Sequence, residues 1–357
     1  MSFASVLSKV SLKKTNADQA IGAGDGGSAR LAAAVAAERE AHARLRECDL
    51  EAWYARLEGE TFKTVFVPLS QDAARALMAG YEAQCGRASL SEEASAELEA
   101  LTASIAAAMV DLGASNVFAK LSSRSPKDST LCEARALDAI KAELGDALAS
   151  GATLDANTVF RSVMAAGIAA LRSDSAAQVV ASLMSSDRVC ADDIPLALEH
   201  AHQWSQHVVL REWVSLPPWS ELRGFVVDGK LTALSQYFVG VRFDELVAAR
   251  DAVEALVKAA FDDFAPRLGI SSCVLDLAVD LDAGRVYVIE LNPFGPPDGL
   301  GTGTCLFNLA TDADVLFGAA PFEFRIQHEP LASLADLLRD GPLRDWLDDA
   351  GVLQALI

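Results

Sequence analysis

The chain has 357 residues, 51% of them apolar, with 30 basic against 50 acidic side chains and a formal charge of -20. That length suffices for two or three structural units around a sizeable core. The charge argues against unaided binding to nucleic acid or an anionic membrane, and suits a basic partner, a cation-escorted ligand or simply a soluble acidic protein. The six cysteines, Cys48, Cys85, Cys132, Cys190, Cys273 and Cys305, are scattered without a CxxC pair, as expected of reduced structural thiols. The N-terminal apolar run is too short for a signal peptide and no long uncharged apolar segment follows, so a cytoplasmic protein without membrane contact is expected.

Residues 1–30, ending in GAGDGGSAR, read as a disordered tail, and Ala32 to about Cys48 as a helix. Residues 31–117 form an N-terminal helical and strand part, with a strand over TVFVPL and helices over Ser70–Gln84 and Ser91–Leu112. A first lobe over 118–215 begins with the strand SNVFAKLS, continues through alanine-rich helices and reaches the strand HVVLREWVSL. A second lobe over 216–330 holds ELRGFVVDG and KLTALSQYF, joined by the hairpin signal Asp228-Gly229. It continues with an amphipathic helix over Phe243–Leu268 and a hairpin over Cys273–Phe294. Residues 331–357 read as two short helices separated at Gly341-Pro342. Antiparallel hairpins among helices predict an α+β body, not a doubly wound parallel sheet.

The hairpin CVLDLAVDLDAGRVYVIELNPF carries the clearest chemistry. Glu290 and Asn292 share one strand face, and a three-residue loop at Asp282-Ala283-Gly284 pairs Leu281 with Arg285 and brings Asp276 opposite Glu290. Like charges across a sheet are destabilising, so two carboxylates and an amide oxygen point to an intervening cation such as magnesium held with nucleotide phosphates. A two-residue turn at Ala283-Gly284 instead puts Asp276 on the other face and dissolves the cluster.

FAKLSSRSPKDS places Lys120 at a strand end before a loop with Arg124 and Lys127, a set suited to phosphate oxygens or to a solvated basic loop. In LREWVSLPPWSELRGFV, the residues Arg211, Glu212, Trp213 and Val214 leave a strand into a proline-stiffened linker whose backbone is a candidate adenine reader. Glu221 and Arg223 then share one face of the next strand. His200, His202 and His207 lack a further ligand at metal-site spacing, and GxGxxG, GxxxxGK[ST], HExxH and GxSxG are all missing. Gly301 and Gly303 read as loop residues.

CDLEAWYARLEGETFKTVFVPLS, FAKLSSRSPKDS, VVLREWVSLPPWSELRGFVVDGKLTALSQ, DLAVDLDAGRVYVIELNPFG and FEFRI occur in that order over roughly residues 48–326. This series resembles the cell division cycle protein 123 family. The resemblance implies an ATP-grasp-like α+β fold, two lobes with antiparallel sheets enclosing a nucleotide cleft. Lys120 would contact phosphate, Arg211–Val214 would line the adenine hinge and Arg223 would approach the triphosphate. Asp276, Glu290 and Asn292 would hold Mg2+. The expected ATP-binding set is thus Lys120, Arg124, Lys127, Arg211, Glu212, Trp213, Val214, Glu221, Arg223 and Asp276, with catalytic residues unassigned.

Eukaryotic members promote assembly of translation initiation factor 2, which implies that factor, its gamma subunit in particular, as a protein partner. Three departures bear on that role. KLSSRSPKD has Ser123 where the family pattern KLNWSAPRD has tryptophan, and adds Arg124. Glu290 replaces the usual aspartate in a hairpin one residue longer, and PPDGLGTGTCLFN lacks the acidic run into a tryptophan. An assembly factor or ATP-dependent modifier, a carboxylate-amine ligase working through an acyl phosphate, and a non-catalytic ATP-binding protein are the three readings these residues leave open.

Overall fold

The structure, a computed structural model, describes residues 46–295, 303–338 and 340–357; the tail, most of the Ala32–Cys48 helix and Gly301 lie outside them. Helix α1 (Leu50–Leu57) buries Leu50, Trp53 and Leu57 on one face and leads into β1 (Thr64–Pro68). Ser70 and Ser91 cap α2 (Gln71–Gln84) and α3 (Glu92–Leu112), each side-chain oxygen accepting the amide three residues on. Gly113, at φ +70°, ends α3 in the left-handed conformation, which glycine adopts without the strain a side chain would bring.

Next come β2 (Val117–Leu121), α4 (Thr130–Ala149), α5 (Ala156–Ala169), β3 (Arg172–Ser173), α6 (Ala176–Met184), α7 (Ile194–Glu199) and β4 (His207–Glu212). The first sheet is antiparallel in the order β1-β4-β2-β3. Pro68, which cannot donate to a ladder, sits at the end of the edge strand β1. Val208 and Leu210 of β4 face a core shared with α2, α3 and α6.

The linker 213–217 carries the chain to the second sheet, with β5 (Glu221–Val227), β6 (Lys230–Gln236), β7 (Cys273–Asp280), β8 (Arg285–Pro293) and, after α9 (Ala313–Leu316), β9 (Glu323–Arg325). Its order is β8-β7-β5-β6-β9, antiparallel except where β6 meets β9. Asp228 and Gly229, at φ 49° and 73°, make the tight β5–β6 turn that Asp-Gly favours. Between β6 and β7, helix α8 (Asp244–Phe264) packs Val253, Val257 and Phe261 against the face formed by Leu222, Val226, Leu275, Leu277 and Val288. The opposite face carries Phe225, Val227 and Val274 at one end and the charged groups of the candidate site at the other.

Two expectations are corrected. The β7–β8 hairpin closes with Asp280 opposite Arg285, leaving a four-residue loop instead of three, because the Asp280 carboxylate accepts the Ala283 amide and pulls the turn open by one position. Asp276 nevertheless faces Glu290, because the register shifts between Asp276 and Leu277 as Ile289 bulges out. The C-terminal helices are α10 (Pro342–Asp349) and α11 (Leu353–Leu356), divided at Gly351, while residues 331–338 form turns. Pro342 starts a helix at its first position, where its missing N–H costs nothing.

Candidate functional site

One rung of the second sheet builds the site. Ser235, Arg223, Asp276 and Glu290 stand directly across from one another on β6, β5, β7 and β8. The period-two alternation that buries Leu222, Leu275 and Leu291 on the α8 side turns these polar residues to the other face. Arg223 grips Asp276 with two charge-assisted bonds, Nε to Oδ1 and Nη2 to Oδ2, both 2.7 Å. Its third donor reaches the Gly303 carbonyl at 2.8 Å, and its guanidinium lies 5.0 Å from the Tyr237 ring centre. Asp276 is 1% exposed. Burial raises its carboxyl and Arg223 works against that rise.

Lys120, from β2 of the first sheet, is 4% exposed, and its ammonium donates to Glu290 Oε2 at 3.4 Å. Burial alone would raise the Glu290 carboxyl, but Lys120, Lys127, Arg223 and the Asn292 amide together hold it at about 2. The cations that make two facing carboxylates tolerable are therefore the protein's own. Asn292 Nδ2 lies 3.5 Å from Asp276 Oδ2 and 3.4 Å from Glu290 Oε1, so the three expected metal ligands share one small space. The set fits a hard cation, since each carboxylate oxygen keeps lone pairs beyond its present bond. Among the described residues no group of three or more His, Cys, Asp or Glu is arranged for a metal; this set joins two such residues with an amide.

Lys127 is above its ordinary range, raised first by Tyr237 and, against burial, by Glu221 and Glu290. Its ammonium sits 5.7 Å from the Tyr237 ring centre. Burial raises the Glu221 carboxyl to about 7, with Lys127 opposing. Lys127 and Glu221 line a cleft of about 140 Å³ between the two sheets, together with Arg211–Val214, Phe118 and Ile289. Glu212 and Trp213 donate backbone amides to Lys63 and Asn116 carbonyls, and the Glu212 carboxylate accepts from the Lys63 amide. Val214 makes no hydrogen bond within the described residues, leaving its backbone groups open to the cleft. Arg124 stands apart from the rung, half-buried, with Asp193 as a neighbouring charge. A larger cavity of about 330 Å³ between α4, α5 and the C-terminal turns is lined mostly by aliphatic side chains such as Leu137, Ile140 and Leu334, with no comparable convergence of charge.

Arg211 lines the cleft beside the other residues expected at the adenine hinge, and its guanidinium crosses to the second sheet. Nη1 donates to the Ile289 carbonyl at 2.6 Å, and Nη2 to Thr61 Oγ1 at 2.5 Å and the Val288 carbonyl at 3.3 Å. Phe62 stacks under it at 4.7 Å. Thr61 and Tyr237 carry no charge; Thr61 falls in the first family-like block but no chemistry singles it out there, and Tyr237 lies just beyond the block ending in LSQ. Asp49, raised to about 7 by burial and by Glu51, is a further charge neighbour of Lys120, within the first family-like block but not among the expected site residues. The histidines form no metal set. His207 pairs with Glu51 at 2.8 Å, and Ser122 donates to the same carboxylate oxygen. His200 and His202 lie at the end of α7 and in the 3-10 turn after it, not on a strand. No helix among the described residues is long and apolar enough to cross a membrane.

The family model described as D123 matches residues 163–311, from within α5 to beyond the β7–β8 hairpin. The chain is 35% identical over 88 residues to the cell division cycle protein 123 of Candida glabrata, a match covering 24% of each chain. It is 31% identical over 88 residues, again 24% of each, to a protein of Vanderwaltozyma polyspora named translation initiation factor eIF2 assembly protein. A Xenopus laevis protein of the same name is 28% identical over 107 residues, 30% of each chain. The aligned segments thus span about a quarter of these relatives' own length. The solved structure of Cdc123 from Schizosaccharomyces pombe superposes with a TM-score of 0.53 at 22% identity, covering 79% of this chain and 96% of that one, and shares its two-lobed α+β fold. The family model over residues 163–311 and the curated relatives agree in their similarity to the cell division cycle protein 123 family, and the likeness to the Schizosaccharomyces pombe structure shows the shared fold.

Proposed function

We propose that the cleft binds ATP together with magnesium, and that the loaded protein assists the assembly of a translation initiation factor of the eIF2 type. The observation that carries the nucleotide reading is the meeting of Lys120 from one sheet with Asp276, Glu290 and Asn292 from the other, near a cleft lined by Lys127 and Glu221, both charge neighbours of Glu290, and by Val214, whose backbone groups have no partner among the described residues. Asp276, Glu290 and Asn292 would hold the metal, which when bound would neutralise charge on the phosphates. Lys120 and Lys127 supply compact charges for phosphate oxygens. The Val214 amide and carbonyl offer one donor and one acceptor, enough to read a base edge. Arg223 acts at one remove, since three of its five N–H donors, Nε–H included, are held by Asp276 and Gly303.

Support for the assembly role comes from the names of the Vanderwaltozyma polyspora and Xenopus laevis relatives. The gamma subunit is the partner to try first, because the family resemblance implies it. The test is calorimetry with ATP, with and without magnesium, followed by capture of the purified factor subunits. Magnesium-dependent ATP binding with ATP-dependent capture is expected. Absence of ATP binding overturns the nucleotide reading; capture indifferent to ATP overturns the link between the two.

A further inference from the structure

We infer that Arg211 is the positioning residue of the metal half of this site, acting through the β8 bulge and not by touching the nucleotide. The inference rests on the magnesium–ATP reading above. Strand β8 is the outer edge of the second sheet, so one side of its backbone has no strand partner. The bulge at Ile289 lies on that edge and sets two residues against one on β7. Without it, continuing the Asp280–Arg285 register would bring Ile289 opposite Asp276 and turn Glu290 to the buried α8 face. The hydrophobic pattern of Val286, Val288 and Leu291 therefore demands a bulge, and something must hold its free carbonyls.

Arg211 does so from the central strand of the first sheet. Its fork takes the Val288 and Ile289 carbonyls, which immediately precede Glu290, and the Thr61 hydroxyl adds a second donor to the Val288 carbonyl. The side chain is 2% exposed, has no ion pair among the described residues, and leaves Nε unbonded. Burial accordingly lowers its pKa to about 10. A buried cation partnered mainly by carbonyls is an expensive way to join two lobes, and a methionine of similar length would fill the space without that cost. What methionine cannot do is bind two successive carbonyls in a fixed geometry, which aims the next side chain, Glu290, at Asp276 and Asn292.

The test compares ATP affinity in magnesium and in EDTA for wild type, Arg211→Met and Arg211→Lys by calorimetry. Arg211→Met is expected to lose roughly ten- to a hundredfold of the magnesium enhancement, as displaced ligating groups do, with a smaller change in EDTA. Arg211→Lys, reaching one carbonyl, should recover part of it. An enhancement unchanged in Arg211→Met, or an equal loss with and without metal, overturns the positioning role. Should Arg211→Met fail to fold, Thr61→Val removes the other donor to Val288 and must reduce the enhancement in the same direction; an unchanged enhancement there overturns the role. A wild-type chain that binds ATP with no gain from magnesium overturns it as well, whereas one that binds no ATP at all overturns the underlying reading.

Discussion

Lys120 Nζ stands 3.4 Å from Glu290 Oε2, and this contact joins β2 of one sheet to β8 of the other. Glu290 is the lysine's only hydrogen-bond partner among the described residues. A phosphate arriving there would offer the ammonium a second anion. Lys120→Met is expected to weaken ATP binding at least about tenfold, roughly 1.4 kcal/mol, as read by calorimetry. The same substitution should reduce acid sensitivity. Glu290 sits at about 2 when folded against an ordinary 4.5, so its contribution is full above 4.5 and disappears as pH falls toward 2. Urea unfolding between pH 2.5 and 6 should show a shallower decline in the variant; an unaltered slope would mean Lys120 does not hold that charge.

Arg223 and Asp276 form the most buried ion pair of the site, with side-chain exposures of 7% and 2%. Removing one partner strands the other in a water-poor setting. Arg223→Met is predicted to cost about 3–5 kcal/mol in chemical denaturation. The double variant Arg223→Met, Asp276→Asn should recover part of that loss, because no uncompensated charge remains. A double variant as unstable as the single one would show that the pair matters for its shape and not its charge.

Much of this rung is legible in the sequence, and its limits are instructive. Alternation in ELR, LDL and ELN puts Arg223, Asp276, Glu290 and Asn292 on shared faces, because side-chain period on a strand is a local property. The Asp276–Glu290 pairing follows from a three-residue loop that does not form; a longer loop and a bulge at Ile289 offset each other. The loop follows from a local bond, the Ala283 amide to the Asp280 carboxylate, whereas the bulge is not written locally, since it answers the burial demands of Val288 and Leu291 against α8. Which cation meets which anion is a tertiary fact. Lys120 was recognisable as a strand-end cation in a basic loop, but its partner lies 170 residues away on another sheet. Arg211 shows the opposite failure: its place at the end of β4 was readable, while the direction of its side chain depended on Thr61 and an edge strand far along the chain.

The carboxyls beside Lys120 and Lys127 should make the protein less stable as pH rises toward neutrality. Burial raises Glu221 to about 7 against an ordinary 4.5, and burial with Glu51 raises Asp49 to about 7 against 3.8. Between those limits the folded chain binds more protons than the unfolded one, so stability is greatest below about 4 for these groups and declines up to about 7. This trend opposes that of Glu290, and the two windows separate near pH 4. Without nucleotide, melting temperature is expected to fall between pH 5 and 7.5, and Glu221→Gln should flatten part of that fall. A melting temperature rising across that range would contradict the upward shift of both carboxyls.

Metal should enter this site only in company with nucleotide. Both oxygens of Asp276 accept from Arg223, and Glu290 accepts from Lys120, so an aquated divalent ion meets carboxylates already neutralised. Phosphates that draw Lys120 away would leave Glu290 free to bind the ion that accompanies them. Manganese titrated by electron paramagnetic resonance should therefore bind at least about tenfold more tightly with ATP present than alone, the affinity step that corresponds to roughly 1.4 kcal/mol. Lys120→Met gives the sharper check, because it removes the counter-ion of Glu290 and the phosphate contact at once. Binding of manganese alone should improve while binding of ATP worsens, two changes of opposite sign from one substitution. If manganese alone binds the wild-type chain as well as it binds the ATP complex, the internal ion pairs do not control metal entry.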